Sequence, residues 1–278
     1  MKLTLCLLLF ALGMTHVVRA QDGGDHTVVV NDIEMRYQVH GTGEPLVLLH
    51  GFLGSGDTWA TILGGLERFG PNYRLIIPDL RGHGGSTNPG GTFTMRQSAL
   101  DVFALLDHLG VDRFKAIGMS GGGMTLLHMA TQQPERVESV ILISATTHFP
   151  EQARALMRET TEATRTDDEW AMMRGVHKHG DAQIRALWNV SRGFATSYDD
   201  MRFTADALAT ITAPTLLVHG DRDPLFPLNI ALDMHDAIPT SWLWVVPNGG
   251  HLTIVTEGLT DQFVTTASAF LSGAWAGP

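Results

Sequence analysis

Residues 114–123 read FKAIGMSGGG, and the interpretation of the whole chain starts from this stretch. An apolar run ends in the pattern Gly-x-Ser-x-Gly centred on Ser120, and a helix-like segment over residues 124–133 follows it. A serine hydroxyl becomes a useful nucleophile only when it is exposed, aimed and supplied with a base. A tight strand-to-helix turn would expose Ser120, and the flanking glycines relieve the crowding of such a turn. The alternative is a glycine-rich turn that merely contains a serine.

Length and composition limit the classes of protein to consider. A chain of 278 residues suffices for one large α/β domain or two small ones, and 44% hydrophobic with 17% charged residues is typical of a globular protein. The formal net charge is −10, with no basic stripe. We therefore expect no nucleic-acid partner and no binding to anionic membranes.

The first twenty residues have the pattern of a secretory signal peptide. Lys2 precedes a short apolar block over residues 3–12, and Val18-Arg19-Ala20 is a small-x-small cleavage sequence. The block is too short to span a bilayer, so we expect cleavage after Ala20, a secreted or periplasmic location and no membrane anchor in the mature form. Cys6 is the single cysteine, so the mature chain would contain no disulfide and no cysteine-bound metal. An N-terminal core helix is the alternative.

Strand and helix patterns alternate along most of the chain. Residues 26–30 and 33–39 flank Asn31-Asp32 and predict a β-hairpin. Apolar runs typical of strands that are covered on both faces occur at residues 45–49, 74–78, 114–119, 137–144, 214–219 and 242–246. The alternation predicts an α/β fold, with a doubly wound, mostly parallel sheet that is opened by the antiparallel hairpin.

The alternation stops over residues 148–212. This segment has helix starts, such as the capping-box sequence Thr166-Asp-Asp-Glu169, but no strong strand pattern. We predict a helical cap over 148–212, inserted into a core domain made of residues 21–147 and 213–278.

Polar loops follow several of the predicted strands, at the sheet edge where ligands of open α/β sheets bind. They are the serine turn, His50-Gly51-Phe52, Gly220-Asp221-Arg222-Asp223 and Gly249-Gly250-His251. A serine, an acid and a histidine in this chain order form one of the known triad arrangements. The sequence therefore favours a nucleophilic role for Ser120.

On these residues the chain resembles the α/β-hydrolase superfamily, in particular its serine esterase-like branch with a short helical cap. The resemblance covers nearly all of the mature sequence. The matching motifs are His50-Gly51, Asp79-Leu80-Arg81-Gly82-His83-Gly84, Gly118-Met-Ser-Gly-Gly122, Gly220-Asp-Arg-Asp223 and Gly250-His251.

The resemblance implies a role for each site residue. Ser120 would attack a carbonyl carbon, His251 would be the general base, and Asp223 would fix the tautomer of His251. The backbone N–H groups of Phe52 and Gly121 would stabilise the oxyanion. These are the catalytic and oxyanion-hole residues that we predict.

Two neighbouring residues are rivals for these roles. The family's pattern selects Asp223 over Asp221 as the acid. His83 is a rival base, but its loop supports the site from behind in the family, so we interpret His83, Asp79 and Arg81 as structural.

The substrate pocket is harder to predict. Aromatic and apolar residues near the reactive loops or in the cap are Trp59, Met119, Trp170, Trp188 and Leu225, with ordinary core packing as the alternative. We select Trp59 and Met119, because they lie close in sequence to the reactive loops.

A second motif suggests a metal at first sight. Residues 177–181 spell the His-x-His-x-Asp of some binuclear metal hydrolases, but supporting ligands are missing from the sequence around them. We interpret them as solvated polar residues of the cap, and we expect no metal and no cofactor.

The leading hypothesis is a serine hydrolase that cleaves small carboxylic esters through an acyl-enzyme intermediate. Serine at the nucleophile position disfavours the haloalkane dehalogenases and epoxide hydrolases of the superfamily, which use aspartate there. Lactone hydrolysis, C–C bond hydrolysis and cofactor-free perhydrolysis use the same triad and stay open as alternatives. A non-catalytic ligand-binding protein on this fold is a further alternative. The sequence leaves the natural substrate and the oligomeric state open.

Overall fold

The computed structural model describes residues 24–255 and 258–275. The predicted signal peptide, residues 1–20, lies outside the described residues. The described strands are β1 (Asp25–Val30), β2 (Ile33–His40), β3 (Glu44–Leu49), β4 (Tyr73–Pro78), β5 (Phe114–Met119), β6 (Val137–Ile143), β7 (Thr215–Gly220) and β8 (Ser241–Val246). The described α-helices are α1 (Thr58–Leu63), α2 (Met95–His108), α3 (Gly121–Gln132), α4 (Glu151–Arg158), α5 (Asp167–Val176), α6 (Gly180–Gly193), α7 (Ala205–Leu208), α8 (Leu228–Ala237) and α9 (Leu259–Leu271).

These strands form one twisted sheet in the order β1-β2-β4-β3-β5-β6-β7-β8. Strand β2 runs antiparallel to both β1 and β4, and the pairs from β4 to β8 are parallel. The predicted hairpin is confirmed, with Val30 paired with Ile33 across the turn. The predicted α/β fold with a mostly parallel sheet is confirmed as well.

The central strands are buried on both faces because helices cover the sheet on each side. On β3, Leu46 and Leu48 pack in the cluster under α1 and α9, whereas Val47 and Leu49 pack in the cluster under α2, α3 and α8. This division follows from the two-residue alternation of side chains along a strand. It explains why the central strands appear in the sequence as continuous apolar runs.

Helix boundaries follow the capping signals of the sequence. The Thr94 side chain accepts a hydrogen bond from the backbone N–H of Gln97 at 3.0 Å, and α2 begins there. Gly110, with a φ of +65°, follows the end of this helix. At the start of α5, Thr166 and Glu169 form the complete reciprocal capping box. Such caps satisfy backbone donors that the first helical turn leaves free.

Helices α4 to α7 lie between β6 and β7, and residues 144–214 contain no strand. The insertion after β6 therefore consists of helices, as a helical cap requires. Its last part, however, packs with the core, since Leu208 and Ile211 belong to the same cluster as Ala231 and Met234 of α8. Within residues 24–255 and 258–275, we find no helix with the length and apolar character to cross a membrane.

Candidate active site

Ser120 sits in the turn between β5 and α3 with a strained backbone, at φ +49° and ψ −114°. The turn depends on its glycines, because a Cβ added to Gly122 would lie 2.1 Å from the carbonyl oxygen of Leu49. A Cβ on Gly118 would meet the carbonyl carbon of Gly122 at 2.6 Å. Strained φ/ψ values of this kind cluster at functional sites. The sharp turn holds Ser120 at the carboxyl edge of the sheet.

Three side chains from separate loops meet at this edge in a hydrogen-bonded line. The Oγ of Ser120 lies 2.9 Å from Nε2 of His251. The Nδ1 of His251 lies 2.8 Å from Oδ2 of Asp223. The chain separations of 131 and 28 residues are bridged because each residue follows a strand that ends at the same edge.

The Asp223 carboxylate is buried and held from several sides. Its Oδ1 accepts hydrogen bonds from the backbone N–H groups of Leu225 and Phe226, at 2.8 and 3.1 Å. Burial alone would raise the pKa of the Asp223 carboxyl, but the hydrogen bond and charge of His251 and the two amides outweigh burial and lower the pKa. Asp223 is therefore held as an ionised acceptor beside His251. Asp221 instead lies at the surface, with Oδ1 4.0 Å from Nε of Arg222.

The loop after β3 faces the serine turn. A Cβ added to Gly121 would lie only 2.9 Å from the backbone nitrogen of Phe52, so the two backbones are in close contact. Among the described residues, the Phe52 N–H donates to no other protein group. Gly121 is the first residue of α3, where an N–H has no partner within the helix. The structure thus brings both predicted oxyanion amides beside Ser120.

Sequence reasoning missed a group of side chains that hold the acid and base loops. Nε2 of His219 donates to the carbonyl oxygen of Phe226 at 2.8 Å and lies 3.9 Å from Oδ2 of Asp223. Thr253 donates to the carbonyl oxygen of Gly250 at 2.6 Å, and its hydroxyl lies 3.2 Å from that of Ser144. Only the contact between Thr253 and Ser144 joins residues distant along the chain. The other partners lie three to seven residues apart, but they form no recognised sequence motif.

The loop after β4 forms a buried polar layer behind the serine turn. Asp79 accepts hydrogen bonds from the backbone N–H groups of Gly56 and Gly85, at 2.6 and 2.8 Å, and from Arg36 at 3.0 Å. Arg81 donates to Asp101 at 2.8 and 2.9 Å. These bonds tie loops and helices together, in keeping with the structural interpretation of Asp79 and Arg81.

Three histidines, which we call the buried histidine cluster, lie in this layer: His50, His83 and His177. The ring centroids of His50 and His83 are 5.3 Å apart, and those of His83 and His177 are 6.0 Å apart. Nδ1 of His83 donates to the carbonyl oxygen of Arg81 at 2.9 Å. Burial, and then the proximity of the other two rings, holds the pKa of His83 well below its ordinary value.

The His-x-His-x-Asp segment docks the cap. Nδ1 of His177 accepts from the N–H of Gly84 at 3.0 Å, and Nε2 of His179 donates to the carbonyl oxygen of Gly85 at 2.9 Å. Asp181 instead forms two hydrogen bonds of 2.8 Å with Arg174. The interpretation of all three as solvated residues is wrong for His177, which is buried against the loop that follows β4. In the part of the chain that the structure describes, no group of histidine, cysteine or acidic side chains is arranged as a metal site.

Ser120 and His251 open into a cavity of about 200 Å³ between the core and the cap. The side chains that line it are mostly apolar, namely Phe52, Leu53, Met95, Ser120, Met124, Phe149, Leu156, Met157, Thr160, Ser191, Phe194, Leu225, Phe226 and His251. Cap residues form a large share of this wall. We refer to it below as the catalytic-side cavity.

The pocket residues that we selected from the sequence lie elsewhere. Trp59 and Met119 both pack in the core cluster under α1 and α9 and are absent from the cavity wall. Side chains alternate between the two faces of the sheet along β5, and that of Met119 lies on the face covered by α1 and α9. Trp59 fills the same part of the core from α1. Of the other candidates, Leu225 lines the cavity, whereas Trp170 and Trp188 pack edge to face within the cap at 4.5 Å.

Comparison with known proteins agrees with this fold. Residues 44–172 match a family model described as alpha/beta hydrolase fold, and residues 188–267 match a model described as TAP-like protein. The chain belongs to the α/β-hydrolase superfamily. Several of its relatives are named hydrolases or esterases, and the chain is an enzyme of this superfamily.

Individual relatives differ in the reactions that their names describe. The chain is 28% identical over 249 residues to a putative non-heme chloroperoxidase of Synechocystis sp., covering 79% of this chain and 88% of that protein. It is 26% identical over 266 residues to a 2-hydroxymuconate semialdehyde hydrolase of Pseudomonas sp. strain CF600, covering 89% and 93%. A thermophilic esterase of Thermogutta terrifontis has a similar structure, with a TM-score of 0.70 at 23% identity and coverage of 90% and 98%. The family is thus shared, while the reactions of its members vary.

Proposed function

We propose that this α/β-hydrolase is a serine hydrolase that cleaves small, uncharged carboxylic esters through an acyl-enzyme intermediate. The observation that carries the proposal is the hydrogen-bonded line from Ser120 through His251 to Asp223 at the wall of a small apolar cavity. A serine needs both a base and a group that orients the base before it attacks a carbonyl. The distances of 2.9 and 2.8 Å meet both needs.

The proposed reaction runs in two halves. Nε2 of His251 takes the proton of Ser120 as Oγ attacks the ester carbon, and then gives that proton to the departing alcohol. In the second half, His251 takes a proton from water, the hydroxide attacks the acyl carbon, and Ser120 leaves with the proton. Asp223 stays ionised throughout and holds Nδ1–H of His251 in place, which its lowered pKa favours.

The backbone N–H groups of Phe52 and Gly121 support this reaction at the oxyanion. Both flank Ser120, and an oxyanion donor of this type is worth about 3 kcal/mol of transition-state stabilisation. Because main-chain atoms donate, replacing the Phe52 side chain need not remove the donor. What matters is the position of the loop that carries Phe52. The glycine at 121 permits this position because the two backbones are in close contact.

The cavity supports an uncharged substrate. Among its described lining residues there is no lysine, arginine, aspartate or glutamate, and Thr160 and Ser191 are the polar groups beside Ser120 and His251. A substrate carboxylate held there would lose its hydration without gaining a cationic partner, which is costly. This argument favours neutral esters over dienoic acids such as the one in the name of a relative from Metapseudomonas resinovorans.

A fluorophosphonate probe tests the nucleophile. We expect stoichiometric labelling of the wild-type protein, mapped to Ser120 by peptide mass spectrometry, and no labelling of folded Ser120→Ala. Labelling of Ser120→Ala to the same extent, or none of folded wild type, would overturn the proposal. A panel of p-nitrophenyl acetate, p-nitrophenyl butyrate, a γ-lactone and a dienoic acid then tests the substrate class, and faster turnover of the acid than of the esters would contradict it.

We infer further that the enzyme acts outside the cytoplasm as a protein that starts after Ala20. The support is the order of a basic start, a short apolar block and a small-x-small sequence in residues 1–20. N-terminal sequencing of the exported protein should begin at Gln21. Recovery of the chain in the cytosol with residues 1–20 intact would contradict this inference.

A further inference from the structure

Three phenylalanine rings pack together beside the catalytic-side cavity, and we call them the aromatic partition: Phe52, Phe93 and Phe194. The ring centroids of Phe52 and Phe93 are 5.2 Å apart, those of Phe52 and Phe194 are 4.9 Å apart, and those of Phe93 and Phe194 are 6.1 Å apart. All three pairs meet edge to face, a favourable geometry that holds the rings together. Phe52 and Phe194 face the cavity.

A second and larger space lies on the other side of the aromatic partition. It is a mostly apolar groove of about 480 Å³ between the loop that follows β4 and helix α6. Phe93 lines this groove together with Ala182, Ala186, Leu187 and Val190. The groove contains neither Ser120 nor His251, so no substrate that it holds reaches the triad unless the partition opens.

Phe93 is the groove-side ring of the aromatic partition. It lines the groove on one side and packs against both cavity-facing rings on the other. Phe52 and Phe194 have further aromatic neighbours of their own, because Phe52 contacts His83 at 4.8 Å and Phe194 stacks on Phe149 at 5.2 Å. Phe52 and Phe194 also contact each other at 4.9 Å, so truncation of Phe93 opens the partition when one of these two rings turns into the volume that Phe93 vacates.

We propose that Phe93 is a specificity-determining residue, which limits the length of the apolar arm of the ester by closing the cavity off from the groove. This inference rests on the proposed esterase function. With Phe93 in place, the arm must fit in about 200 Å³. Without it, Phe52 or Phe194 can turn into the vacated volume, and a longer alkyl chain can then extend into an apolar groove of about 480 Å³.

The test compares chain-length profiles of wild type and Phe93→Ala. We would measure kcat/KM for p-nitrophenyl esters from butyrate to decanoate, and for alkyl butyrates from ethyl to octyl, so that either arm of the ester can reveal the effect. Each methylene that newly enters the groove should raise kcat/KM about fourfold, from the usual free energy of burying a CH₂ group. We expect the ratio of kcat/KM for the decanoate to that for the butyrate to be roughly tenfold or more higher in Phe93→Ala than in wild type. If the alkyl arm occupies the groove, the ratio for octyl butyrate to ethyl butyrate should rise instead.

A blocking variant gives the matched control. Ala186 lines the groove from an exposed position on α6, so Ala186→Trp can fill the groove without disturbing the core. In Phe93→Ala/Ala186→Trp the preference for long chains should return to that of wild type, and Ala186→Trp alone should leave the profile unchanged. Phe93→Leu provides a milder truncation if Phe93→Ala does not fold.

The outcomes separate this inference from the proposed function. Absence of ester hydrolysis by folded wild type would refute the proposed function itself. Normal hydrolysis by wild type, with the same chain-length profile in a folded Phe93 variant for both ester series, would overturn the role of Phe93 alone. A long-chain gain that persists in the double variant would also overturn it, because the groove would not be the space that is used.

Discussion

His251 and the buried histidine cluster lie at the same edge of the sheet, but their surroundings differ. His251 is partly exposed at the cavity, with a carboxylate 2.8 Å from Nδ1 and a serine hydroxyl 2.9 Å from Nε2. His83 is fully buried, its Nδ1 donates to a backbone carbonyl, and its Nε2 has no hydrogen-bond partner among the described residues. Both histidines were candidates for the base, since both follow strands that end at this edge.

The difference in surroundings is the reason why we propose His251, and not His83, as the base. Accepting a proton creates an imidazolium, which a nearby carboxylate stabilises and burial without a partner opposes. Asp223 supplies the carboxylate for His251. In the buried histidine cluster, burial lowers the pKa of each ring, and the rings instead serve as neutral hydrogen-bonding and packing groups.

Exchange of each histidine for glutamine should give the largest contrast. We expect His251→Gln to lower kcat/KM about 10⁴-fold or more, because the base is lost. His83→Gln should lower it by less than about tenfold, since the ring supports loops and does not meet the substrate. Initial rates with p-nitrophenyl butyrate measure both, with circular dichroism as the folding control. Equal losses of kcat/KM in the two folded variants would contradict the assignment of His251 as the base.

The next largest effect is expected at Asp223, whose carboxylate contacts His251. Asp223→Asn should lower kcat about 10⁴-fold, because an amide no longer fixes the Nδ1–H tautomer of His251 or stabilises its cation. The matched variant Asp221→Asn, two residues away at the surface, should stay within about twofold of wild type. If the ranking of the two variants were reversed, the acid would be Asp221.

The smallest effect is on stability against acid. Burial, together with repulsion from His50, lowers the pKa of His177 to about 4, below the value near 6.5 of an unfolded chain. Between about pH 6.5 and 4 the unfolded state therefore binds a proton that the folded state excludes, so the free energy of unfolding falls as the pH falls through this window. This contribution of His177 is fully present above about pH 6.5, and its loss by pH 4 amounts to about 2–3 kcal/mol.

His177→Asn isolates that contribution. Asparagine can still accept from the Gly84 N–H but does not titrate, so urea unfolding of the variant should depend less steeply on pH between 6.5 and 4. His179→Asn, at an exposed neighbouring position, serves as the matched control for the substitution. An unchanged slope in His177→Asn would show that protonation of His177 does not contribute to the loss of stability in acid.

Local sequence signals predicted much of the fold. The hairpin around Asn31-Asp32, the apolar runs of the central strands and the capping sequence at Thr166 all act over a few residues, and the structure contains the corresponding elements. The alternation of strands and helices then restricts the topology, because parallel strands need crossovers. Helices also fill the insertion after β6.

Predictions that depended on where side chains point across the molecule were less successful. The sequence favours Trp59 and Met119 as pocket residues by their closeness to the reactive loops, yet both pack in the core. His177 was expected in solvent but is buried against Gly84. In each case the missing information is which distant segment covers the residue.

By itself the sequence determined the α/β architecture, the glycine-flanked turn at Ser120 and the chain order of serine, acid and histidine, because local sterics and strand order suffice for them. The tertiary structure alone decided which side chains meet. It brought Asp223 rather than Asp221 to His251, enclosed three histidines behind the site, and divided the space under the cap with Phe93. These outcomes depend on how the cap packs on the core, and contacts between residues far apart in sequence leave no periodic signal to read in advance.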